Sequence, residues 1–193
     1  MNAVRYWVAL YIVAFVPGAF LFWFSIHPFV RFWRRVGPRR TLAIHYVLIL
    51  FLAAAIFTAR RPLLAVEFGT NPVLIAAAVP LFAIAAALRI VLSKHLKTRV
   101  LTGLPELAPD AYGSRLLMGG IYARIRHPRY AQMVLVLLAF ALFTNYLATY
   151  VVFLLALVVV FPLTRIEERE LRERFGAEYE AYRARVPRFL PRF

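Results

Sequence analysis

The sequence predicts an all-α, polytopic membrane bundle of about five transmembrane helices, followed by an amphipathic helix at the C-terminus on the cytoplasmic side. Three observations support this fold class. Hydrophobic residues make up 63% of the 193 residues and the mean hydropathy is +0.71, whereas soluble domains are about 45–50% apolar. The apolar residues form runs long enough to cross a bilayer. The basic residues are concentrated in the connections between those runs.

The apolar runs cover residues 6–24, 42–58, 72–92, 130–143 and 146–163. The first connection carries five basic residues: Arg31, Arg34, Arg35, Arg39 and Arg40. The second carries only three charges: Arg60, Arg61 and Glu67. Because basic connections stay in the cytoplasm, we expect the N-terminus outside and the C-terminus in the cytoplasm. The last two spans are joined by little more than Thr144 and Asn145, which predicts a tight antiparallel hairpin.

We interpret the chain as one membrane domain in three parts. Residues 1–92 hold three spans, residues 93–129 form a cytoplasmic connection, and residues 130–193 form the helical hairpin and a cytoplasmic tail. Proline and glycine residues in the connection argue against one continuous helix. The connection is either a mobile cover over a site or a linker, and we slightly favour the linker. His45 lies near the cytoplasmic end of its span, where we expect a hydrogen-bonded interfacial histidine.

Charge and residue usage exclude several functions. The formal net charge of +15 suits an anionic cytoplasmic leaflet, and with so much apolar sequence we expect no nucleic-acid partner. The chain has no cysteine, which excludes a disulfide framework, a thiolate metal site and a cysteine nucleophile. The four histidines lack metal-ligand spacing, so we expect no metal.

The segment of residues 120–130, G-I-Y-A-R-I-R-H-P-R-Y, leads into the fourth span. Pro128 suits the first turn of a helix, which places His127 at the N-cap. We expect the amides of Tyr130 and Ala131 to be free at this positive helix end, where they can hold an anion. The alternative is that the nearby arginines are only positive-inside anchors: Arg124, Arg126 and Arg129.

The tail begins as a charged helix that continues the fifth span. Two i,i+4 ion pairs are predicted on its solvated surface: Glu168 with Arg172, and Glu170 with Arg174. Glu167 differs, because Leu163 and Leu171 lie four residues before and after it on an apolar stripe. A carboxylate in this position needs a partner, since unpaired burial is costly. The candidates are Arg165, Arg126 or a bound cation.

Together the two segments resemble a known family. The patterns Gly120-x-Tyr122-x-x-x-Arg126-His127-Pro128-x-Tyr130 and Arg165-Ile166-Glu167-Glu168-x-x-Leu171-x-x-x-Phe175-Gly176-x-x-Tyr179-x-x-Tyr182 are similar to the isoprenylcysteine carboxyl methyltransferases and their relatives among the phospholipid methyltransferases. The end of the chain, Arg185-Val186-Pro187-x-x-Leu190-Pro191, is similar to the isoprenylcysteine branch. The resemblance covers about the last eighty residues.

The resemblance implies transfer of a methyl group from S-adenosylmethionine to a lipophilic or lipidated acceptor at the cytoplasmic face. It places six residues around this cofactor: Arg126, His127, Pro128, Tyr130, Glu167 and Glu168. Carboxylates can accept hydrogen bonds from the amine or ribose hydroxyls of the cofactor. An aromatic wall for adenine or sulfonium has four candidates: Tyr122, Tyr130, Tyr179 and Tyr182.

The acceptor stays open. A carboxylate acceptor needs no base and could be held by Arg126 or Arg165, whereas an amine or hydroxyl needs a base such as Glu167 or His127. Two other classes of protein remain. One is a sterol-reductase-like enzyme that uses NADPH, although no dinucleotide glycine fingerprint follows a strand. The other is a non-catalytic membrane protein that binds anionic lipid.

Overall fold

A computed structural model describes residues 2–93, 104–108 and 115–191 of the chain. Most of these residues are helical. No β-strand lies within the described ranges, and an isolated bridge pairs Glu67 with Tyr146. The predicted all-α fold is confirmed.

Five long helices are present in these ranges, and each matches one of the predicted apolar runs, although the last helix begins one residue after the start of its run. Their bounds are α1 (Asn2–Ile26), α3 (Pro38–Thr58), α5 (Pro72–Ser93), α7 (Pro128–Thr144) and α8 (Leu147–Phe175). Shorter elements connect or follow them: α2 (Val30–Val36), α4 (Arg60–Leu63), α6 (Leu104–Leu107), a 3-10 helix (Gly120–Ala123) and α9 (Ala177–Arg185). Residues 94–103 and 109–114 lie outside the described ranges. The prediction that the cytoplasmic connection is either a mobile cover or a linker falls largely on these residues.

Four of the long helices, α1, α3, α5 and α8, are long and apolar enough to cross a membrane. Helix α7 is apolar but has 17 residues, which at 1.5 Å per residue gives a length of about 25 Å. That length is at the lower limit for a transmembrane helix. Four of the five predicted spans are therefore helices of sufficient length and hydropathy, and the fifth would be the shorter helix α7.

Helix α7 packs against three other long helices, α1, α5 and α8. Ala139, Ala141 and Ala156 are fully buried along these contacts, and such small residues allow helices to approach closely in a membrane. In α3 and in α5, only 11% of the most apolar 18-residue stretch of the helix is buried within the protein. The outward faces of these two helices are apolar, as expected for surfaces in contact with lipid.

The hairpin between α7 and α8 is as tight as predicted. Helix α7 ends at Thr144, Asn145 adopts a left-handed backbone with φ 56°, and α8 begins at Leu147. Asparagine tolerates this conformation better than most residues. The amide side chain of Asn145 donates to the carbonyl of Gly69 at 3.0 Å, which fixes the turn against the connection before α5.

Arg5 is completely buried at this end of the bundle. Its guanidinium donates to the carbonyls of Thr144 and Gly69 and pairs with Glu67 at 2.9 Å. It also donates to the hydroxyl of Thr70 at 2.7 Å. The first turn of α1 is thereby tied to the connection before α5 and to the α7–α8 hairpin.

His45 is buried in α3 and bonded through both ring nitrogens. Nδ1 lies 2.7 Å from the carbonyl oxygen of Thr41, and Nε2 lies 2.7 Å from the hydroxyl oxygen of Ser25. Since a carbonyl can only accept, Nδ1 donates to Thr41. The expectation of a hydrogen-bonded histidine is confirmed.

The opposite end of the bundle brings three parts of the chain together. Helix α8 runs beyond its apolar part to Phe175, and the chain reverses at Gly176, where φ is 52°. Helix α9 then buries Tyr179 and Tyr182 on one face and exposes its charged residues on the other. After α9 the chain returns to the segment that precedes α7. The start of α7, the end of α8 and the C-terminal segment therefore meet.

Candidate active site

The start of α7 has the predicted cap. His127 is the N-cap residue and Pro128 occupies the first turn. The prediction of free amides at Tyr130 and Ala131 was wrong, because both donate to the carbonyl of His127, at 3.2 and 3.3 Å. The first bond is of the tighter 3-10 type, which often satisfies amides at a helix start. The amide of Arg129 precedes them and has no acceptor within the helix geometry.

Glu168 is the buried carboxylate of the site, with 1% of its surface exposed. Its Oε1 lies 3.0 Å from Nε2 of His127 and 3.2 Å from a guanidinium nitrogen of Arg126. Arg188 binds both carboxylate oxygens, with Nε at 2.9 Å from Oε1 and Nη2 at 2.6 Å from Oε2. A buried carboxylate is stable only with such compensation. The surrounding donors therefore hold Glu168 as an ionised anchor.

This arrangement corrects one predicted ion pair. Glu168 does not pair with Arg172 through its carboxylate, because that group turns towards α7 and the C-terminal segment. Arg172 instead reaches the backbone carbonyl of Glu168 at 3.4 Å and the carboxylate of Glu180 at 3.6 Å. The other predicted pair is present, with Arg174 and Glu170 separated by 3.9 Å, but Glu170 is buried and does not lie on a solvated surface as predicted.

Sequence reasoning missed Arg188, which occupies an unassigned position in the C-terminal pattern. Main-chain bonds hold its segment in place: the amide of Arg126 donates to the carbonyl of Pro187 at 2.9 Å, and the amide of His127 donates to that of Arg188 at 3.0 Å. The ring of Phe189 lies 6.0 Å from the ring of His127. Hydrogen bonding to Glu168 raises the pKa of Arg188 above its ordinary value, so this side chain stays charged.

Glu167 and Arg126 lie beside Glu168, but each has a buried polar atom that makes no hydrogen bond to the described residues. Oε2 of Glu167 is 3.8 Å from Nδ1 of His127 and has no hydrogen-bond partner among the described residues. Nε of Arg126 is likewise buried without a partner there. Of the partners predicted for Glu167, Arg126 pairs with Glu168 instead. Arg165 is exposed and lies outside this ion-pair cluster within the described part of the chain.

The four candidate tyrosines are all buried. Tyr182 donates its hydroxyl hydrogen bond to the carbonyl of Tyr122 at 2.7 Å, which joins α9 to the 3-10 helix. Burial raises the pKa of Tyr182 to about 12, so this donor keeps its proton at physiological pH. Burial also raises the pKa of Tyr179, whose hydroxyl has no hydrogen-bond partner in the described ranges. The ring of Tyr130 lies 5.8 Å from that of His127.

An apolar helical bundle with four helices long enough to cross a membrane, and with a buried ion-pair cluster at one end, indicates an integral membrane protein. The chain belongs to the phospholipid methyltransferase family, whose model matches residues 73–178, just over half of its length. The resemblance found in the two motifs is thus confirmed. The protein is a membrane methyltransferase, and its reaction requires a methyl donor. No curated protein matches the chain.

Proposed function

We propose that this protein transfers a methyl group from S-adenosylmethionine to a lipophilic acceptor at the cytoplasmic face of the membrane. One observation carries the proposal: His127, at the start of α7, contacts Glu168, at the end of α8, at 3.0 Å. Buried polar atoms of Glu167, Arg126 and Tyr179, which have no hydrogen-bond partner among the described residues, lie in the same part of the structure. Buried polar atoms without partners are uncommon and are often completed by a ligand.

The residues present suit this donor, which carries a methyl group on a cationic sulfur, an amine, a carboxylate and two ribose hydroxyls. Glu167 offers a carboxylate oxygen to the amine or the hydroxyls. Arg126 and Tyr179 offer buried donors to its carboxylate or base. Glu168 and Arg188 bind each other, and Glu168 also contacts His127 and Arg126. We therefore assign these two residues to holding His127 and Arg126 in position and not to direct contact with the methyl donor.

The position of charge supports the cytoplasmic side. The arginines of α2 and of the start of α3 belong to the same end of the bundle as the site, since Arg31 lies 3.7 Å from Glu173 of α8. Basic connections favour the cytoplasm. The opposite end contains Arg5 paired with Glu67. We therefore propose an outside N-terminus, a cytoplasmic C-terminus and an acceptor that enters from the bilayer.

The family description names phospholipids, and on that basis we propose a lipid headgroup as the acceptor. An isoprenylcysteine-like carboxylate is the alternative that the assay below distinguishes. Methyl transfer is an in-line displacement, so the main contribution of the protein is to hold two reactants in alignment and away from water. Arg165 has no part in this proposal because it is exposed.

Titration calorimetry in detergent tests the donor assignment. We expect S-adenosylmethionine to bind the purified protein, and Glu167→Gln to abolish that binding. Glu178→Gln makes the same chemical change at an exposed position of α9 and should leave binding intact. Absence of binding to the unmodified protein would contradict the proposal.

Turnover tests the acceptor assignment. Membranes incubated with a donor labelled in its methyl group should transfer the label to the lipid fraction. Label in the protein fraction would favour a prenylated acceptor instead. Arg126→Ala should abolish transfer in either case without loss of expression, and an active Arg126→Ala protein would remove this residue from the site.

A further inference from the structure

The corner between α2 and α3 carries three exposed arginines: Arg35, Arg39 and Arg40. None of these three corner arginines forms an ion pair with the residues that the structure describes. The nearest acidic residue along the chain is Glu67, which lies at the other end of the bundle and pairs there with Arg5. The corner therefore presents positive charge that the described part of the protein does not compensate.

Two further arginines of α2 are turned towards α8 and do not belong to this surface. A guanidinium nitrogen of Arg31 lies 3.7 Å from the carboxylate of Glu173, and one of Arg34 lies 4.0 Å from that of Glu170. These contacts hold α2 against the end of α8. The charge that is available to another molecule is thus that of the three corner arginines.

Contacts on the inner side of the corner fix its orientation. The indole nitrogen of Trp33 donates to the carbonyl of Ser25 at 2.9 Å, and the ring centroid of Trp33 lies 4.7 Å from that of His45. The amide of Gly37 donates to the carbonyl of Trp33 at 3.0 Å, and the hydroxyl of Thr41 donates to the carbonyl of Gly37 at 2.8 Å. Helix α2 is thus held between α1 and α3 by one side, and its other side stays exposed.

The exposed side of α2 also presents two large apolar rings. Phe29 is 61% exposed and Phe32 is 55% exposed. Phe32 and Arg35 are three residues apart, so they share one side of the helix. The helices that α2 connects, α1 and α3, are both long and apolar enough to cross a membrane, which places α2 at the membrane surface. Exposed phenylalanine beside arginine is typical of a helix that lies in the membrane interface.

We propose that the outer side of the α2–α3 corner binds the headgroups of anionic phospholipids. The guanidinium groups of Arg35, Arg39 and Arg40 pair with phosphate oxygens, while Phe29 and Phe32 enter the boundary of the acyl chains. A lipid with net negative charge is favoured over a zwitterionic one, because the corner has no carboxylate to bind an ammonium group. This lipid is a bound component of the surface and not a reactant, so the inference does not rest on the proposed function.

Native mass spectrometry of the full chain in detergent tests the charge requirement. Phosphatidylglycerol and phosphatidylcholine with the same acyl chains are titrated separately, and the bound lipids are counted. We expect phosphatidylglycerol to bind about tenfold more tightly, and Arg35→Gln combined with Arg40→Gln should remove that preference, since each arginine contributes about fivefold. Arg60→Gln combined with Arg61→Gln is the matched control. It removes the same charge from α4, at the other end of α3, and should leave the preference intact.

A nitroxide label at residue 32 tests the apolar contact. The chain has no cysteine, so Phe32→Cys provides a single labelling site. In liposomes that contain phosphatidylglycerol, the label should be more accessible to oxygen, which concentrates in the bilayer, than to a water-soluble nickel chelate. In the Arg35→Gln and Arg40→Gln background, the label should become more accessible to the chelate.

Three results would overturn the inference. Equal binding of the two lipids to the unmodified protein would remove the charge requirement. An equal loss of preference in the α4 control would show a general effect of net charge and no site at the corner. A label at residue 32 that is more accessible to the chelate than to oxygen would place the corner in water, where an acidic protein would be the better partner. Thermal unfolding of each variant shows whether it is folded, and the label provides a result that does not depend on the arginine variants.

Discussion

Replacing Arg188 with alanine tests how the C-terminal segment supports the site. The change removes two hydrogen bonds, of 2.9 and 2.6 Å, from a carboxylate that is 1% exposed. Removing one partner of a buried ion pair costs about 3–5 kcal/mol when it leaves the other charge uncompensated. Glu168 retains His127 and Arg126, and the side chain of Arg188 is 27% exposed. We therefore expect a loss of about 2–3 kcal/mol in the free energy of unfolding.

Because Arg188 contacts both oxygens of Glu168, we expect its variants to lose stability by different amounts. Arg188→Lys keeps the charge but loses the two-point geometry, so its loss of stability should lie between those of the unmodified protein and Arg188→Ala. Arg185→Ala is the matched control, because Arg185 is exposed at the end of α9 and donates to the carbonyl of Ala181 at 3.2 Å. Tryptophan fluorescence during denaturation in detergent measures all three variants. Equal stability of Arg188→Ala and Arg185→Ala would refute the assignment of Arg188 as an anchor of Glu168.

Three further predictions concern other parts of the fold. Arg5→Ala should lower the free energy of unfolding by about 3–5 kcal/mol, since it leaves a buried network incomplete; a loss below that of an exposed arginine would contradict this in the same denaturation assay. Gly18→Leu should cost about 1–3 kcal/mol through overpacking, because a Cβ at Gly18 would lie 3.2 Å from Ile49, and Ile49→Ala should recover part of the loss. Because the folded-state pKa of Tyr182 is raised to about 12 from 10.0, its contribution to stability is complete below pH 10 and is lost as pH rises towards 12. Denaturation of Tyr182→Phe at several pH values should show a smaller decline over that interval, and an unchanged decline would contradict the assignment.

Short-range patterns predicted the parts of the site that lie next to each other in the chain. The position of Pro128 was sufficient to place His127 at the N-cap, because proline removes a donor and presets φ. The hairpin followed from the small number of residues between two apolar runs. In both cases the constraint acts within a few residues, so it is visible without knowledge of the tertiary structure.

Short-range patterns could not predict which of the two carboxylates, Glu167 or Glu168, is the more buried. Leu163 and Leu171 indicated a buried stripe that includes Glu167, yet Glu168 is the more buried carboxylate. The stripe itself faces the protein interior, since Leu163 is fully buried, Leu171 packs against the cluster of Tyr179 and Tyr182, and Oε2 of Glu167 is buried. Glu168 is more buried still, because the start of α7 and the C-terminal segment cover the adjacent face of α8. Arg188 was missed for a different reason. Its approach to Glu168 depends on the chain reversal at Gly176 and on main-chain bonds to residues about sixty positions earlier.

The three carboxylates at the end of α8 divide the surroundings between them. At about 100° per residue, Glu168 and Glu170 point to either side of Glu167, by about 100° in one direction and about 60° in the other. Glu168 binds the start of α7 and the C-terminal segment, and Glu170 binds His27 in the turn after α1 and approaches α2. Glu167 lies between these two directions, and its Oε2 has no hydrogen-bond partner among the described residues. Charged side chains buried next to hydrocarbon are costly unless function or pairing retains them. Glu167 is also the most exposed of the three, with 27% of its side chain exposed against 2% for Glu168 and 9% for Glu170, and it is therefore the carboxylate that the proposed methyl donor can reach.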